Sequence, residues 1–357
     1  MTNELLINLS FVIPKPTGLA TYARNLFPHL RSLHPTLLSA QPVADYHTYP
    51  VPPNLTPDQG SRGHFNRLVW TQRQLPKIYQ KLRSRLLFSP IPEAPIASKC
   101  RYVVTVHDLI PLRFPRRFSP LLPYHKYYIP QVLRRAECIL CDSEATASDI
   151  VNFYRIPAEK ITPVPLACDT NRFEFLDLPT SHYFFYIGRH DPYKNLNRLI
   201  AAFAAMPSKQ ACELWIAGPP DPRYTPILQT QAQELGIGDR VKFLGYVDYD
   251  KLPTLINQAI ALVFPSLWEG FGLPVLEAMA CGTPVVTSNL SSLPEVAGDA
   301  ALLVDPYNVS DISVAMNALA TEPQTRSRLR TLGLTRSRQF SWTKTGRTVA
   351  RILSQYL

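Results

Sequence analysis

The stretch Ala259 to Ser288, AIALVFPSLWEGFGLPVLEAMACGTPVVTS, decides how the chain is read. An apolar run from Ala259 to Phe264 is cut off by Pro265, and a loop carries Trp268, Glu269, Gly270, Phe271, Gly272 and Leu273. Pro274 then suits the first turn of a helix, where its missing N–H costs nothing. That helix holds Glu277 and stops at Gly282, and Thr283 to Ser288 opens another apolar run. Strand, glycine loop, short helix and strand are the local pattern of an open parallel α/β sheet. Ligands of such sheets sit outside the carboxyl ends of the strands, where the Gly270 to Leu273 loop falls.

Glycines let a backbone approach a ligand, and free N–H groups at a helix start favour an anion. Yet two carboxylates, Glu269 and Glu277, bracket that positive end. Carboxylates repel phosphates and accept hydrogen bonds from hydroxyls. A ligand carrying both groups, a nucleotide-sugar, satisfies both halves. The plainer alternative is one Glu complementing a helix dipole and one exposed loop Glu. These residues alone leave both readings open.

At 357 residues the chain exceeds one comfortable core and suggests two domains. With 46% hydrophobic and 18% charged residues it is globular. Glycines number only 14, so each clustered glycine is more informative than usual. No apolar run approaches the roughly 20 residues that span a bilayer. The start, MTNELLINLSFVIP, lacks a basic region and reads as a first strand, not a signal peptide. Six scattered cysteines fit a reducing cytoplasm, and the C-x-x-C of Cys138 and Cys141 lacks a second pair or nearby His for a metal site.

The net charge of +10 lies entirely in the first half: residues 1–165 hold 20 Lys/Arg against 10 Asp/Glu, while the remainder holds 17 of each. Arg62 to Arg85 carries seven cations and no acid, with apolar residues interleaved at helical spacing. Such a segment lies on an anionic membrane surface or is an ordinary solvated helix face. No nucleic-acid-binding motif accompanies it.

Along the chain, Glu4–Ile13 reads as the first strand, and the loop Pro14–Gly18 leads to a helix over Leu19–Leu33. Residues 40–61 read as a proline-rich surface loop. RYVVTV, residues 101–106, is a strand ending on His107-Asp108, where the histidine is a site residue or a neutral ring with its proton fixed by Asp108. Helical and strand patterns then alternate to Leu166, with Ser143 as a helix cap. Periodicity fails over Ala167–Thr180, which marks the boundary. A second alternation starts at YFFYI, Tyr183–Ile187, followed by a loop with Arg189 and Lys194. Ser341 caps a separate terminal helix. Asp248-Tyr249-Asp250 could hold a metal with a diphosphate, but its place before the helix at Leu252 favours capping. No G-x-G-x-x-G occurs, which disfavours dinucleotide binding.

These motifs together resemble glycosyltransferase family 4. The resemblance covers nearly the whole chain and rests on PTGLATYARNL, VVTVHDLIPLRFP, CDSEATASDIV, YIGRHDPYKNLNRLIAAF, LWIAGPPD, VKFLGYV and FPSLWEGFGLPVLEAMACGTPVVTS, with the E-x7-E element Glu269–Glu277. It implies an α/β GT-B fold of two facing, Rossmann-like, doubly wound parallel-sheet domains. The expected bounds are 1–168 for the acceptor side, 169–340 for the nucleotide-sugar side, and 341–357 for a helix crossing back. It implies retaining transfer of a hexosyl group, mannose or glucose first, from a GDP- or UDP-sugar to a saccharide or lipid-linked saccharide, with no metal or other cofactor.

By the same resemblance, Arg189 and Lys194 neutralise the diphosphate, Gly18 faces it, and the amides of Gly270, Phe271, Gly272 and Leu273 contact the donor. Glu277 takes the ribose hydroxyls, Glu269 lies beside the transferred sugar, and His107 stands near the reacting carbon. Glu295 and Val247 fall in matched stretches as lesser contacts. The expected location is cytoplasmic, peripheral on the inner membrane face, with no nucleic-acid partner. The competing readings are a non-catalytic nucleotide-sugar or nucleic-acid binding protein, and another GT-B enzyme such as a nucleotide-sugar epimerase or a sugar phosphorylase.

Overall fold

A computed structural model describes residues 4–13, 18–116, 119, 121–208 and 211–357. They divide into two compact units. The first runs to Leu166 and adds Ser341–Leu357, and the second is Ala167–Phe340.

The first unit contains strands β1 (Leu5–Asn8), β2 (Thr36–Ser39), β3 (His47–Pro50), β4 (Leu86–Ser89), β5 (Tyr102–Val106), β6 (Cys138–Cys141) and β7 (Ile161–Pro163). They pair in parallel in the order β3-β2-β1-β4-β5-β6-β7. The apolar runs LLIN, LLFS and YVVTV are buried throughout, as strands sandwiched between helices must be. The chain winds outward from β1 to β3, then restarts at β4 on the other side. This puts a topological switch point between β1 and β4.

The second unit has β8 (Tyr183–Ile187), β9 (Glu213–Ala217), β10 (Val241–Gly245), β11 (Ala261–Phe264), β12 (Val285–Ser288) and β13 (Leu302–Val304), ordered β10-β9-β8-β11-β12-β13 and parallel. Its switch point lies between β8 and β11. The two loops that sequence analysis singled out, after Ile187 and after Phe264, leave the strands that flank it. Gly218 ends β9 at φ +140, and a Cβ there would sit 1.9 Å from the Gly188 carbonyl oxygen. Only glycine lets these two strand ends approach.

Several expectations need correction. Residues 40–61 are not all loop: β3 forms the sheet edge there, and it was hidden because HTYP is short, polar and half exposed. The helix expected over Leu19–Leu33 is α only over Gly18–Leu26 and tightens to a 3-10 turn over Phe27–Leu33, where Pro28 enters. The basic stretch is two helices, Gly60–Arg73 and Leu75–Lys81, with Pro76 in the first turn of the second. Within the helical stretch Leu121–Arg135, Tyr124–Tyr128 widens to a π turn, Ile129 N–H bonding Tyr124 O, next to Pro130, which has no N–H. No Asp side chain caps the helix at Leu252; Asp250 instead pairs with Arg172. The loop 14–17 expected to lead to Gly18 lies outside the described residues.

Two caps stand as read. Ser143 Oγ accepts from Thr146 N–H at 3.1 Å, and Ser341 Oγ accepts from Lys344 N–H at 3.2 Å. The terminal helix, Trp342–Ser354, packs on the Phe27–Leu33 turn of the first unit, and Thr345 Oγ1 donates to Pro165 O at 2.7 Å.

Candidate functional site

The second unit gathers its candidates at the carboxyl end of its sheet. Lys194 ends the loop after β8 and Glu269 lies in the loop after β11, so the switch point separates their strands yet lets the side chains meet. Lys194 Nζ donates to Glu269 Oε1 at 2.6 Å, with both side chains nearly nine-tenths buried. The ammonium also lies 5.3 Å from the Phe264 ring centroid and 5.2 Å from that of Tyr193. The ammonium is thus held in a poorly solvated place between a carboxylate and two ring faces.

The surrounding loop geometry is fixed by residues the sequence reading passed over. Asn195 adopts φ +65, is fully buried, and donates from Nδ2 to Pro265 O at 3.0 Å and Pro306 O at 2.7 Å. His190 Nδ1 meets Thr225 Oγ1 at 2.7 Å. Ser291 Oγ accepts from Glu269 N–H at 3.1 Å. The Ser292 hydroxyl lies 3.0 Å from Glu269 O and 2.6 Å from Phe271 O and donates to them. These residues sit on other strands' loops, so spacing within the motif carries no sign of them.

The glycine loop itself presents free backbone donors. Gly272 takes φ +115, and the helix Leu273–Ala280 starts immediately after it. The backbone N–H groups of Phe271, Gly272 and Leu273 find no acceptor among the described residues. Phe271 and Gly272 are buried and Leu273 is half-buried, and successive unpaired N–H groups at a helix start suit phosphate oxygens.

Glu277 stands apart from the Lys194–Glu269 pair. No donor among the described residues reaches its carboxylate, and burial, reinforced by the negative charge of Asp169, pushes its pKa up to about 7. An acceptor short of donors suits a pair of ligand hydroxyls. Arg189 is largely exposed and leans on Asp191, Nε to Oδ2 3.2 Å. Val247 is half-buried and Glu295 sits in the helix Leu293–Ala297.

Two candidates belong to the first unit. Gly18 opens its helix exposed, and a Cβ there would meet none of the described residues within 4 Å, so none of them demands glycine at that point. His107 follows β5, but its partner is not Asp108, whose Oδ1 accepts from Ile110 N–H. Nδ1 bonds Asp142 Oδ2 at 2.7 Å and Nε2 bonds Pro90 O at 2.9 Å. Pro90 O can only accept, so Nε2 carries a proton, and the proton between Nδ1 and Asp142 is shared by that pair. Burial opposes charge on both groups: it lowers the His107 pKa, which the neighbouring Asp142 pushes back up, and it raises that of Asp142 itself. Asp142, at the end of β6, was missed because it lies 35 positions away in sequence.

Among the described residues no group of three or more His, Cys, Asp or Glu is arranged to hold a metal ion. No helix there is long and apolar enough to cross a membrane. Arg67, counted among the basic stretch, is buried and bonds Glu93 through Nε at 2.7 Å, so it is not part of that surface.

Comparison with known proteins agrees with this geometry. Residues 169–334 match the family described as glycosyl transferases group 1, and residues 16–172 match glycosyltransferase family 4. The O-antigen chain mannosyltransferase B of Escherichia coli is 33% identical over 256 residues, 68% of this chain and 67% of that protein. The O-antigen chain mannosyltransferase RfbU of Salmonella typhimurium is 26% identical over 91% of this chain and 93% of that protein. The chain spans only about a third, 32%, of the length of a serotype-specific mannosyltransferase of Escherichia coli. Among solved structures, sucrose-phosphate synthase from Thermosynechococcus elongatus superposes with TM-score 0.78 at 20% identity, covering 98% of each chain. Anabaena HepE in complex with UDP and glucose gives 0.75 at 18%, covering 98% of this chain and 99% of that one. The two parallel-sheet units and their carboxyl-end site define a glycosyltransferase of GT-B fold. The chain belongs to glycosyltransferase family 4.

Proposed function

We propose that the protein transfers a hexosyl group, mannose first and glucose second, from a nucleoside-diphosphate sugar to a hydroxyl of a saccharide or lipid-linked saccharide, with retention and without a metal. The observation that carries the reading is the row of three unpartnered amides, Phe271 to Leu273, within the same loop as the paired Glu269. Phosphates need the first and sugar hydroxyls the second. Mannose is put first because the O-antigen relatives are named mannosyltransferases.

In this reading the diphosphate rests on those amides, with Lys194 and Arg189 supplying positive charge in place of a metal. Glu269 holds Lys194 in place and accepts from hydroxyls of the transferred sugar, and Glu277 accepts from the ribose. The bond from the anomeric carbon to the diphosphate oxygen breaks while the acceptor oxygen bonds the same carbon from the same face. The acceptor proton passes to the leaving phosphate oxygen, so no side-chain base is needed. By the family resemblance, His107 is assigned to the surroundings of the transferred sugar and Gly18 to the approach of the diphosphate. On the membrane side, the helix Gly60–Arg73 presents Arg62, Phe65, Val69 and Arg73 on one exposed face, which suits peripheral contact with anionic lipid.

The test incubates the protein with GDP-mannose, UDP-glucose and related donors plus saccharide acceptors, and measures free nucleoside diphosphate. Turnover with one donor, unchanged by EDTA, and a product whose anomeric proton keeps the donor configuration are expected. Absence of turnover with every donor and acceptor defeats the transferase reading, and loss on EDTA treatment defeats metal independence.

A further inference from the structure

The first unit contains a cavity of about 720 Å³ at the carboxyl end of its sheet. It opens to solvent on one side and is bounded by the segments that follow β1, β2 and β3 and by the helix starting at Gly18. Its size lies within the usual range for small-molecule sites, and strand carboxyl ends are where such sheets bind ligands. Its walls have a definite chemistry. Val12, Phe27, Pro42 and Val43 supply apolar surface, while the charged lining residues, Arg24 and Asp58, are both exposed. Arg24 is already engaged, donating from its guanidinium to Ile13 O at 2.6 Å. Asp58 is engaged too, as acceptor from the Thr56 hydroxyl.

A cavity for a bare saccharide would offer inward-facing donors and acceptors for its hydroxyls, because an unpaired polar group inside costs more than the contact returns. Here the other polar side chains of the lining are already spent on the protein itself or exposed: the buried Thr56 hydroxyl also donates to Pro53 O at 3.2 Å, Ser39 Oγ accepts from Gln41 N–H, and the Gln41 side chain is exposed. We propose that the cavity receives the apolar portion of the acceptor, an alkyl or prenyl chain, while the sugar that is extended stays outside it. The inference rests on the transferase reading for the word acceptor, but not for the binding itself.

The discriminating probe is octyl α-D-mannopyranoside, used below its micellar concentration, against methyl α-D-mannopyranoside. Each methylene that leaves water is worth roughly a fourfold gain in affinity, so burying even two or three predicts at least a tenfold tighter octyl glycoside. Calorimetric titration of the full chain reads this without any turnover. Val43→Asp places a charge in the wall and Ala44→Trp fills the exposed mouth; each is expected to return octyl affinity to the methyl value while leaving thermal stability within a few degrees. Where turnover is measurable, the same tenfold difference is expected in KM for the two glycosides, with methyl glycoside turnover unchanged in both variants. Equal affinity for the two glycosides, or octyl affinity untouched by both variants, overturns the proposal. Failure of every donor to turn over with octyl binding intact defeats the transferase reading and leaves the apolar site standing.

Discussion

Lys194 and Glu277 show how burial sets the chemistry of single residues. Lys194 is held by one carboxylate at 2.6 Å in a nearly closed place, so its removal strips the site of a preorganised cation and leaves Glu269 unpaired. Lys194→Ala is expected to cut kcat by about 10²–10³-fold, the usual scale for deleting one charge-stabilising group. Helical content by circular dichroism should be unchanged; full activity in the variant removes Lys194 from the site. Glu277 carries the opposite lesson. Its pKa of about 7 lies above the ordinary 4.5, so the folded state favours the protonated form. That contribution is complete below pH 4.5 and is lost as pH rises through 7. Glu277→Gln should therefore leave stability at pH 4 nearly unchanged and raise it at pH 8 by about 1–3 kcal/mol, read as Tm at both pH values. The same variant should weaken donor binding. A variant no more stable at pH 8 than the wild type would falsify the view that Glu277 is a strained ligand group.

At the scale of elements, the fold is set by what the ends of helices and strands meet. The terminal helix is docked by close approach: a Cβ on Gly346 would lie 2.2 Å from His29 Cβ, in the 3-10 turn of the same unit. Gly346→Ala is expected to force that helix outward at a cost of about 1–3 kcal/mol, and to speed amide exchange across Trp342–Ser354. Unchanged exchange there would mean that the contact yields freely. The cap at Ser341 was readable in the sequence because its signal is local, a Ser just before the first helical residue. The need for Gly346 was not, because its reason lies more than 300 positions away. Short polar β3 was lost for a related cause: an edge strand draws its stability from pairing with β2, not from an apolar run of its own.

For the molecule as a whole, the uneven charge is the feature with the widest reach. Arg67 is consumed internally by Glu93, while Arg62, Arg73, Lys77, Lys81, Arg83 and Arg85 remain exposed, and Phe65 on the same stretch is 65% exposed. Flotation with vesicles containing anionic lipid should recover the protein at low salt and lose it by about 0.5 M salt, where screening is short-ranged. Vesicles of neutral lipid should recover little, and Arg62→Glu with Arg73→Glu should abolish binding to either; equal recovery on both lipids rejects an electrostatic surface. The sequence by itself determined the two alternating α/β halves, the boundary near Ala167, and the loops that carry Arg189, Lys194 and Glu269 to Glu277. These follow from period, glycine placement and a family resemblance, all of which are local properties of the chain. Only the tertiary structure decided that Lys194 and Glu269 form one ion pair, that His107 is bonded to Asp142, and that Arg67 is hidden. Each depends on which strands become neighbours across a sheet, and burial then fixes whether a charge is paired, shifted or left to solvent.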